Sequence, residues 1–474
     1  MGYLNKNETA LRDGDTITTT RGLCNHCGKL CDARIVCEAG RIILVKQCDE
    51  HGESKGLISS DAQWYHRSLA HMKKEFGRVD GIGAVPANCP DACGICKDHK
   101  QQNCLPIIEI TGRCNMKCPV CMVDTAKIPE CSVADIRLMI DHLLQEHTEL
   151  NMITLSGGEP TLHPDLLKII DTLRIPEIGL ITVSTNGIKL AEDDELLSGL
   201  IERQVIIGLQ FDGLTPATYA RLRGDGTLAR KKLKVLEKII TMGGKVSLNF
   251  TLAKNINERE LPAIFDLFCI HEAVCMLNIM PLTHTGKARF HNQSDNPLDA
   301  LTIPDVVKKL ANASENSLQE SDFSPFSRIH PSCLAFSGLL KVNNGDLVSL
   351  ASVLDAKTYS GLIHNRDLFE TDFKILEELR DTLYNLWSKE RTNLKNERVL
   401  RAIKQVITDL NLLGNQPSKQ QILEVGLRHI KSIFIHHYMD RANFDLARAV
   451  RCGKHYLPPD HKLIPMCVRN NLAQ

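Results

Sequence analysis

The chain has 474 residues, with 57 basic and 57 acidic side chains and therefore a formal net charge of zero. That length exceeds one ordinary domain core, so roughly two to four domains are expected. The balanced charge provides no net field that would concentrate a polyanion, which argues against nucleic acid as a partner.

The sequence contains 18 cysteines, and twelve of them lie before residue 122. The polar start "MGYLNKNETA" lacks the apolar core of a signal peptide, and no run approaches the roughly 18 apolar residues of a membrane span. We therefore expect a cytoplasmic protein without a transmembrane segment, in which clustered thiols bind metals rather than form disulfides.

The first cysteines fall in a short ribbon-like segment that contains the motifs "CNHC" and "CDEH". Two such knuckles predict one mononuclear site, for which iron and zinc are equally suitable. Cys31 and Cys37 are competing ligands. The predicted ligands are Cys24, Cys27, Cys48 and His51.

A second group occurs in "NCPDACGICKDHKQQNC". Four thiolates fill every ligand position of a cubane, so this set predicts a closed auxiliary [4Fe–4S] cluster, with zinc as the alternative. The predicted ligands are Cys89, Cys93, Cys96 and Cys104.

From residue 107 the pattern alternates between short apolar runs and helical periodicity, including a helix that begins after Ser132. Six βα units predict a parallel sheet in the form of a partial (β/α)6 TIM-type barrel, open on one side, with functional residues at the strands' C-terminal ends. The predicted strands span 107–111, 152–158, 178–187, 205–213, 245–252 and 275–282.

Distinctive motifs follow the first four of these strands. "TGRCNMKCPVC" after the first supplies Cys114, Cys118 and Cys121, and three thiolates on a cubane leave one iron open. "SGGEP", "STNG" and "QFDG" follow the next three strands. Their candidate cofactor-binding residues are Gly157, Gly158, Glu159, Pro160, Ser184, Asn186, Gln210 and Asp212.

The C-terminal region is predicted to be mostly helical, including the segment 423–438. Its cysteines Cys333, Cys452 and Cys467 are candidates for a further cluster if the chain returns to the barrel mouth. His436 and His437 are weaker catalytic candidates, as is His163 after "SGGEP", because buried histidines are often satisfied by the core alone.

The CxxxCxxC motif after a first strand, followed by GGEP after the second, resembles the signature of the radical S-adenosylmethionine (SAM) enzymes. The resemblance implies that the amine and carboxylate of SAM chelate the open iron. It also implies formation of a 5′-deoxyadenosyl radical that removes hydrogen from a substrate carbon, with electrons from an external flavodoxin-like or ferredoxin-like donor.

The whole layout, from "CDEHG" to "CGKHYLPPD" and the last cysteine, resembles the tetraether lipid synthases and the class D pterin methyltransferases. The resemblance implies two or three [4Fe–4S] clusters and either C–C coupling of lipid chains or carbon methylation, the pterin branch using a folate-type donor. A lipid substrate would add contact with a membrane surface. The extra Cys31 and Cys37 and the sequence "PVCMVD" depart from the family pattern.

Four segments are expected on these grounds: a ribbon over 1–84, an auxiliary cluster segment over 85–105, the barrel over 106–290 and a C-terminal region over 291–474. A function from another class, a non-catalytic module that binds several zinc ions, predicts a colourless protein that does not cleave SAM.

Overall fold

The computed structural model describes residues 11–76, 89, 99–100, 105–146, 150–290, 296–315, 317–325, 329–342, 345–354, 359, 394–414, 417–460 and 462–472. Its strands form two sheets, one antiparallel with four strands and one larger sheet with a parallel centre. No helix among the described residues is long and apolar enough to cross a membrane.

The N-terminal sheet is an antiparallel meander in chain order. Its strands are β1 Thr16–Leu23, β2 Leu30–Glu38, β3 Arg41–Cys48 and β4 Gly52–Ser59. Successive turns of a meander alternate between its two ends, so the β1–β2 and β3–β4 connections lie at the same end. These two connections carry the "CNHC" and "CDEH" motifs, which brings the two predicted knuckles together.

Six parallel strands in chain order form the centre of the larger sheet. They are β5 Leu105–Thr111, β6 Leu150–Gly157, β7 Ile178–Thr185, β8 Ile206–Gln210, β9 Lys245–Leu252 and β10 Val274–Pro281. All six predicted strands are present, and β9 has the predicted bounds. The predicted α/β class and the curled partial barrel are thereby confirmed.

Helices between the strands pack on the outer face of this sheet. The predicted start after Ser132 is correct, because its Oγ accepts a hydrogen bond from the Asp135 N–H at 3.2 Å. The described helices are α1 Ala62–Phe76, α2 Val133–Glu146, α3 Leu166–Leu173, α4 Asp194–Glu202, α5 Pro216–Arg223, α6 Leu228–Thr241, α7 Leu261–Ile270, α8 Ile303–Ala313, α9 Leu350–Val353, α10 Leu394–Leu412, α11 Lys419–His429, α12 Leu446–Ala449 and α13 Met466–Asn471.

The C-terminal region differs from the helical prediction because it adds strands to both edges of the sheet. They are β11 Ser324–Pro325, β12 Leu334–Lys341, β13 Leu347–Ser349, β14 Ile430–His436, β15 Lys454–Tyr456 and β16 Ile464–Pro465. β14 pairs parallel with β10, and β15 pairs parallel with β5. Eight adjacent strands are therefore parallel, and helix α11 ends where the segment predicted as one helix becomes β14.

The two outer parallel strands approach each other across the open side of the sheet. Lys454 on β15 places its Nζ 3.2 Å from Nε2 of His436 on β14. This contact bridges the gap between the two outer strands, so that the eight strands surround an inner space.

Side chains alternate between the two faces of each strand, and the two faces differ in polarity. On β6, Ile153 and Leu155 belong to the apolar core beneath the helices, whereas Thr154 and Ser156 line the inner space. The core therefore lies outside the curled sheet, and the inside is left for a ligand.

The N-terminal sheet packs on the loop after β14. Lys46 is fully buried, and its Nζ donates to the carbonyl oxygens of Arg441 at 3.0 Å and Ala442 at 2.7 Å, and to the Asn25 side chain. On the neighbouring strand a Cβ at Gly56 would lie 1.9 Å from the Ala442 oxygen, so glycine permits this close approach.

Candidate active site

The cysteine loop begins directly after β5, at the C-terminal end of the barrel. Cys114 is exposed, whereas Cys118 and Cys121 are partly buried and line the inner cavity. Among the described residues, these three sulfur atoms are not grouped within the 4.8 Å that defines a single-ion site.

The glycine pair of "SGGEP" lies against the start of the cysteine loop. A Cβ at Gly157 would come 2.4 Å from the Thr111 oxygen, and one at Gly158 would come 2.3 Å from the Arg113 oxygen. The N–H groups of Gly158 and Glu159 donate to those same carbonyls at 2.8 and 2.7 Å. Only glycine allows this approach, which fixes the end of β6 to the loop that carries the cysteines.

Glu159 is buried, with 1% of the residue exposed, and its carboxylate is bonded to neighbouring protein groups. Its carboxylate accepts hydrogen bonds from the Thr161 hydroxyl at 2.6 Å, from the Thr185 hydroxyl at 2.5 Å and from the Asn186 N–H at 2.6 Å. The sequence suggested that this carboxylate binds the SAM ammonium. In the structure the carboxylate links the end of β6 to the end of β7. Its hydrogen bond to the SAM ammonium stays a prediction.

Of the two candidates in "STNG", only Ser184 lines the cavity. Asn186 instead donates from Nδ2 to the Asn115 side chain in the cysteine loop at 2.7 Å. It therefore orients the loop that would hold the cluster.

The fourth motif brings an unpredicted arginine to the cavity. Asp212 is fully buried, and its carboxylate accepts from Arg223 Nε at 2.6 Å and Nη2 at 2.9 Å. Burial would lower the pKa of Arg223, but the charge of Asp212 and then that of Cys118 raise it above its ordinary value. The structure thus places Arg223, rather than Asp212, at the cavity wall beside Cys118.

A buried lysine supports the same region from α6. Lys232 is 1% exposed, and its Nζ donates to Gln210 Oε1 at 2.7 Å and to the Asn186 carbonyl. Burial lowers its pKa to about 7, against the charge of Asp212. Neither Lys232 nor Arg223 stands in a recognisable motif, so sequence alone could not identify them.

The inner cavity has a volume of about 320 Å³ and is lined by all eight parallel strands. Its polar floor comes from the inward positions of β6 to β10, where hydroxyl and amide side chains alternate with core residues. The polar lining residues on these strands are Thr154, Ser156, Thr182, Ser184, Gln210, Ser247, Asn249, Thr251 and Asn278.

The wall contributed by β14 is aromatic. The rings of Phe434, His436 and Tyr438 are nearly parallel, with 5.9 Å between successive centroids and interplanar angles of 14° and 4°. Burial, followed by the charge of Lys454, places the pKa of His436 well below its ordinary range. His436 is therefore a neutral ring that can accept a hydrogen bond from Lys454.

The other two histidine candidates lie away from the cavity lining. His163 is buried with its Nε2 2.9 Å from the Cys131 carbonyl oxygen. His437 is buried, and burial followed by the charge of Arg448 lowers its pKa to about 3. Core packing is enough to explain why both histidines are buried.

The predicted ligands of the ribbon converge on one point. Cys24, Cys27, Cys48 and His51 place their ligand atoms within 4.8 Å of one another. The Cys27 and Cys48 sulfurs are 3.9 Å apart, close to the roughly 3.8 Å that two thiolates on a tetrahedral zinc require. Burial opposes ionisation of Cys24, but N–H groups of Cys27 and His26 lower its pKa to about 7. Cys31 and Cys37 are not in this group.

The three C-terminal cysteines belong to separate elements, Cys333 before β12, Cys452 before β15 and Cys467 in α13, and their thiols are near enough to influence one another's pKa. Burial raises the pKa of Cys467 to about 11, and the nearby Cys333 adds to this effect. Burial, followed by the charge of Cys467, also raises the pKa of Cys452. The fully buried Arg448 donates from Nε to the Cys333 sulfur at 3.4 Å, which suits a site with negative charge.

Of the four predicted auxiliary ligands, Cys93, Cys96 and Cys104 lie outside the described residues. Cys89 is described, and it packs against the small apolar cluster that contains Cys467. The assignment of Cys89 to the auxiliary cluster therefore stays a prediction.

Two family models match the chain. Residues 108–268 match the radical SAM superfamily, and residues 16–60 match the HMPTM N-terminal zinc ribbon domain. The first match covers the cysteine loop and the glycine pair, and the second covers all four ribbon ligands.

Individual relatives extend the similarity beyond these segments. The chain is 28% identical to 7,8-dihydro-6-hydroxymethylpterin dimethyltransferase of Methanocaldococcus jannaschii, over 96% of this chain and 93% of that protein. It is 28% identical to GTP 3′,8-cyclase of Haemophilus influenzae, over 38% of this chain and 53% of that protein.

Among solved structures, Streptococcus suis SuiB bound to S-adenosylmethionine aligns with 60% of this chain and 67% of its own, at 14% identity and a TM-score of 0.35. That likeness is too distant to carry a functional conclusion. The matched radical SAM segment contains the cysteine loop and the glycine pair, and the similarity to the pterin dimethyltransferase spans nearly the full length. Residues 108–268 therefore form a radical SAM domain, and the chain as a whole resembles the pterin methyltransferase branch of that superfamily.

Proposed function

We propose that this enzyme is a radical SAM methyltransferase that methylates a carbon of a reduced pterin. The observation that carries the proposal is the similarity to a pterin dimethyltransferase over 96% of the chain, which includes the ribbon, the cysteine loop and the C-terminal strands. A folate-type molecule as one-carbon donor and a flavodoxin-like or ferredoxin-like electron donor belong to the same proposal.

Cys114, Cys118 and Cys121 would hold the SAM-binding [4Fe–4S] cluster. When bound there, the cluster and SAM supply a radical that removes hydrogen from an unactivated carbon, chemistry that no side chain can provide. Gly157 and Gly158 hold β6 against the loop, so that the backbone at the strand end stays open to the methionine part of SAM. A substrate carbon bound beside Cys118 and Cys121 would lie inside the curled sheet, where its contact with bulk water is reduced.

The cavity favours a small polar ring over lipid chains. Its volume of about 320 Å³ is that of a small-molecule site. Its hydroxyl and amide floor would have to lose hydrogen bonds to water without replacement if hydrocarbon tails filled it, at a cost of about 1–3 kcal/mol per group. Lipid chain coupling therefore remains the less supported of the two predicted reactions.

Two further metal sites complete the proposal. The ribbon set of three thiolates and one imidazole fits zinc in a closed tetrahedral site, in agreement with the zinc ribbon family that it matches. Cys333, Cys452 and Cys467 would share an auxiliary cluster near the barrel mouth. Such a cluster could pass electrons from the external donor.

The test is SAM cleavage by the anaerobically reconstituted full chain with dithionite and 7,8-dihydro-6-hydroxymethylpterin. We expect 5′-deoxyadenosine from the wild type, none from Cys118→Ala, and wild-type amounts from the control Cys275→Ala, whose thiol is buried on β10. A colourless wild type that holds only zinc and releases no 5′-deoxyadenosine would instead support the non-catalytic zinc module.

A further inference from the structure

We propose that Asn249 and Asn278 form the recognition element for the substrate ring and read the cyclic amide edge of a flat nitrogen heterocycle. The inference rests on the proposed function and adds the residues that select the substrate. These two asparagines lie side by side on β9 and β10, where their Cα atoms are register partners, and both line the cavity.

One hydrogen bond between the two amides, and a second from Asn278 to Ser247, orient the pair. Asn278 Nδ2 donates to Ser247 Oγ at 2.8 Å and to Asn249 Oδ1 at 2.9 Å, which uses both of its hydrogens. Within the part of the chain that the structure describes, Asn278 Oδ1 and Asn249 Nδ2 receive no partner. One acceptor and one donor are thus presented next to each other.

A glycine on the next strand keeps the donor accessible. Gly208 on β8 lines the same cavity, and a Cβ there would lie 3.2 Å from Asn249 Nδ2. Any larger side chain would cover the amide that faces the cavity.

The aromatic wall begins at the same height in the barrel as the asparagine pair. Phe434 on β14 is the register partner of Asn278, and its ring starts the row that continues with His436 and Tyr438. A donor and an acceptor on two hydrogen-bonded amides, beside a row of parallel rings, match a planar heterocycle that contains an N–H next to a C=O. The N–H would donate to Asn278 Oδ1, and the C=O would accept from Asn249 Nδ2.

A pterin has this lactam edge, whereas a 2,4-diaminopteridine lacks both its ring N–H and its carbonyl. The cavity should therefore distinguish two ligands of nearly equal size and shape. A purely structural role for the asparagines would not produce such a preference.

The experiment is a fluorescence titration of the anaerobic full chain with 6-hydroxymethylpterin and with 2,4-diamino-6-hydroxymethylpteridine, without reductant. We expect the wild type to bind the lactam at least about 10-fold more tightly. Asn249→Ala and Asn278→Ala should each weaken lactam binding by about 10-fold or more and remove the preference. Asn411→Ala, on the exposed end of α10, is the matched control.

Circular dichroism and iron content establish that each variant is folded. If the wild type binds the pterin and either folded variant keeps both affinity and preference, the assignment of the amide pair is overturned while the proposed function stands. If the wild type binds neither ligand and methylates no pterin, the proposed function itself fails.

Discussion

At the scale of single residues, the site depends on two glycines, which have no side chain, and on polar side chains that are fully buried. Gly157 and Gly158 act through the space that they leave, and Glu159, Asp212 and Lys232 act on neighbouring residues rather than on the cavity. The motifs located four of these residues, but their roles follow from short distances between backbones and from burial, which the motifs do not specify.

The replacement Gly158→Ala tests the close approach of β6 to the cysteine loop. A Cβ 2.3 Å from the Arg113 oxygen must displace the loop, so we expect loss of cluster iron and of 5′-deoxyadenosine, with a destabilisation of about 1–3 kcal/mol. The control is Gly426→Ala in α11, where nothing lies within 4 Å of the new Cβ. It should stabilise the helix slightly, and equal effects of the two changes would contradict the account.

The buried pair of Arg223 and Asp212 should be far more costly to break than a similar pair at the surface. Arg223→Met leaves the fully buried Asp212 without its cation and is expected to cost about 3–5 kcal/mol. Arg203→Met removes an equally bidentate contact with the half-exposed Asp171 and should cost at most about 1 kcal/mol. Urea midpoints of the anaerobic proteins measure both changes, and similar losses would refute the role assigned to Arg223.

At the scale of elements, the two outer parallel strands turn a six-stranded sheet into an enclosed site. β14 supplies the aromatic wall and β15 supplies Lys454, and the two meet through the contact between Lys454 and His436. The sequence did not reveal β14, because "IKSIFIH" follows a true helix and a short apolar run fits either period. By contrast, β9 was predicted to the residue because "KVSLNFTL" alternates strictly and is rich in strand-forming residues.

The neutral state of His436 predicts how stability depends on pH. Its folded pKa is lowered by burial and then by Lys454, so between the ordinary value of about 6.5 and the folded pKa only the unfolded chain binds this proton. Stability is therefore lost as the pH falls below about 6.5, by about 1.4 kcal/mol per pH unit for this residue.

Replacing His436 by Gln removes this contribution. The loss of unfolding free energy between pH 7.5 and pH 5.5, measured by urea unfolding, should be smaller in the variant by about 1.4 kcal/mol. An identical pH dependence in the two proteins would show that folding does not lower the pKa of His436.

At the scale of the whole molecule, the N-terminal sheet and the barrel share one surface. Lys46 donates to two carbonyls of the loop after β14, and Thr20 donates to the buried Asp445 at 2.6 Å. The ribbon is thereby attached to the segment that carries the aromatic wall and, further along, Cys452 and Cys467.

Much of this organisation could be predicted from local sequence patterns. Cysteine spacing indicated the four ribbon side chains that the structure groups together, and strand order placed the cysteine loop beside the glycine pair, because each depends on local patterns along the chain. The contacts of Lys454 with His436, and of Arg448 with Cys333, join positions 18 and 115 residues apart. Tertiary packing alone creates them, so the closed cavity and the role of Arg223 required the structure.

The central claim, that the radical SAM site methylates a pterin ring, is tested most directly by mass spectrometry of pterins and lipids from a heterologous host. Expression of the wild type should yield pterins with one or two added methyl groups, and expression of Cys118→Ala should yield none. Unchanged pterins together with lipids whose chains have lost hydrogen and become joined would contradict the account.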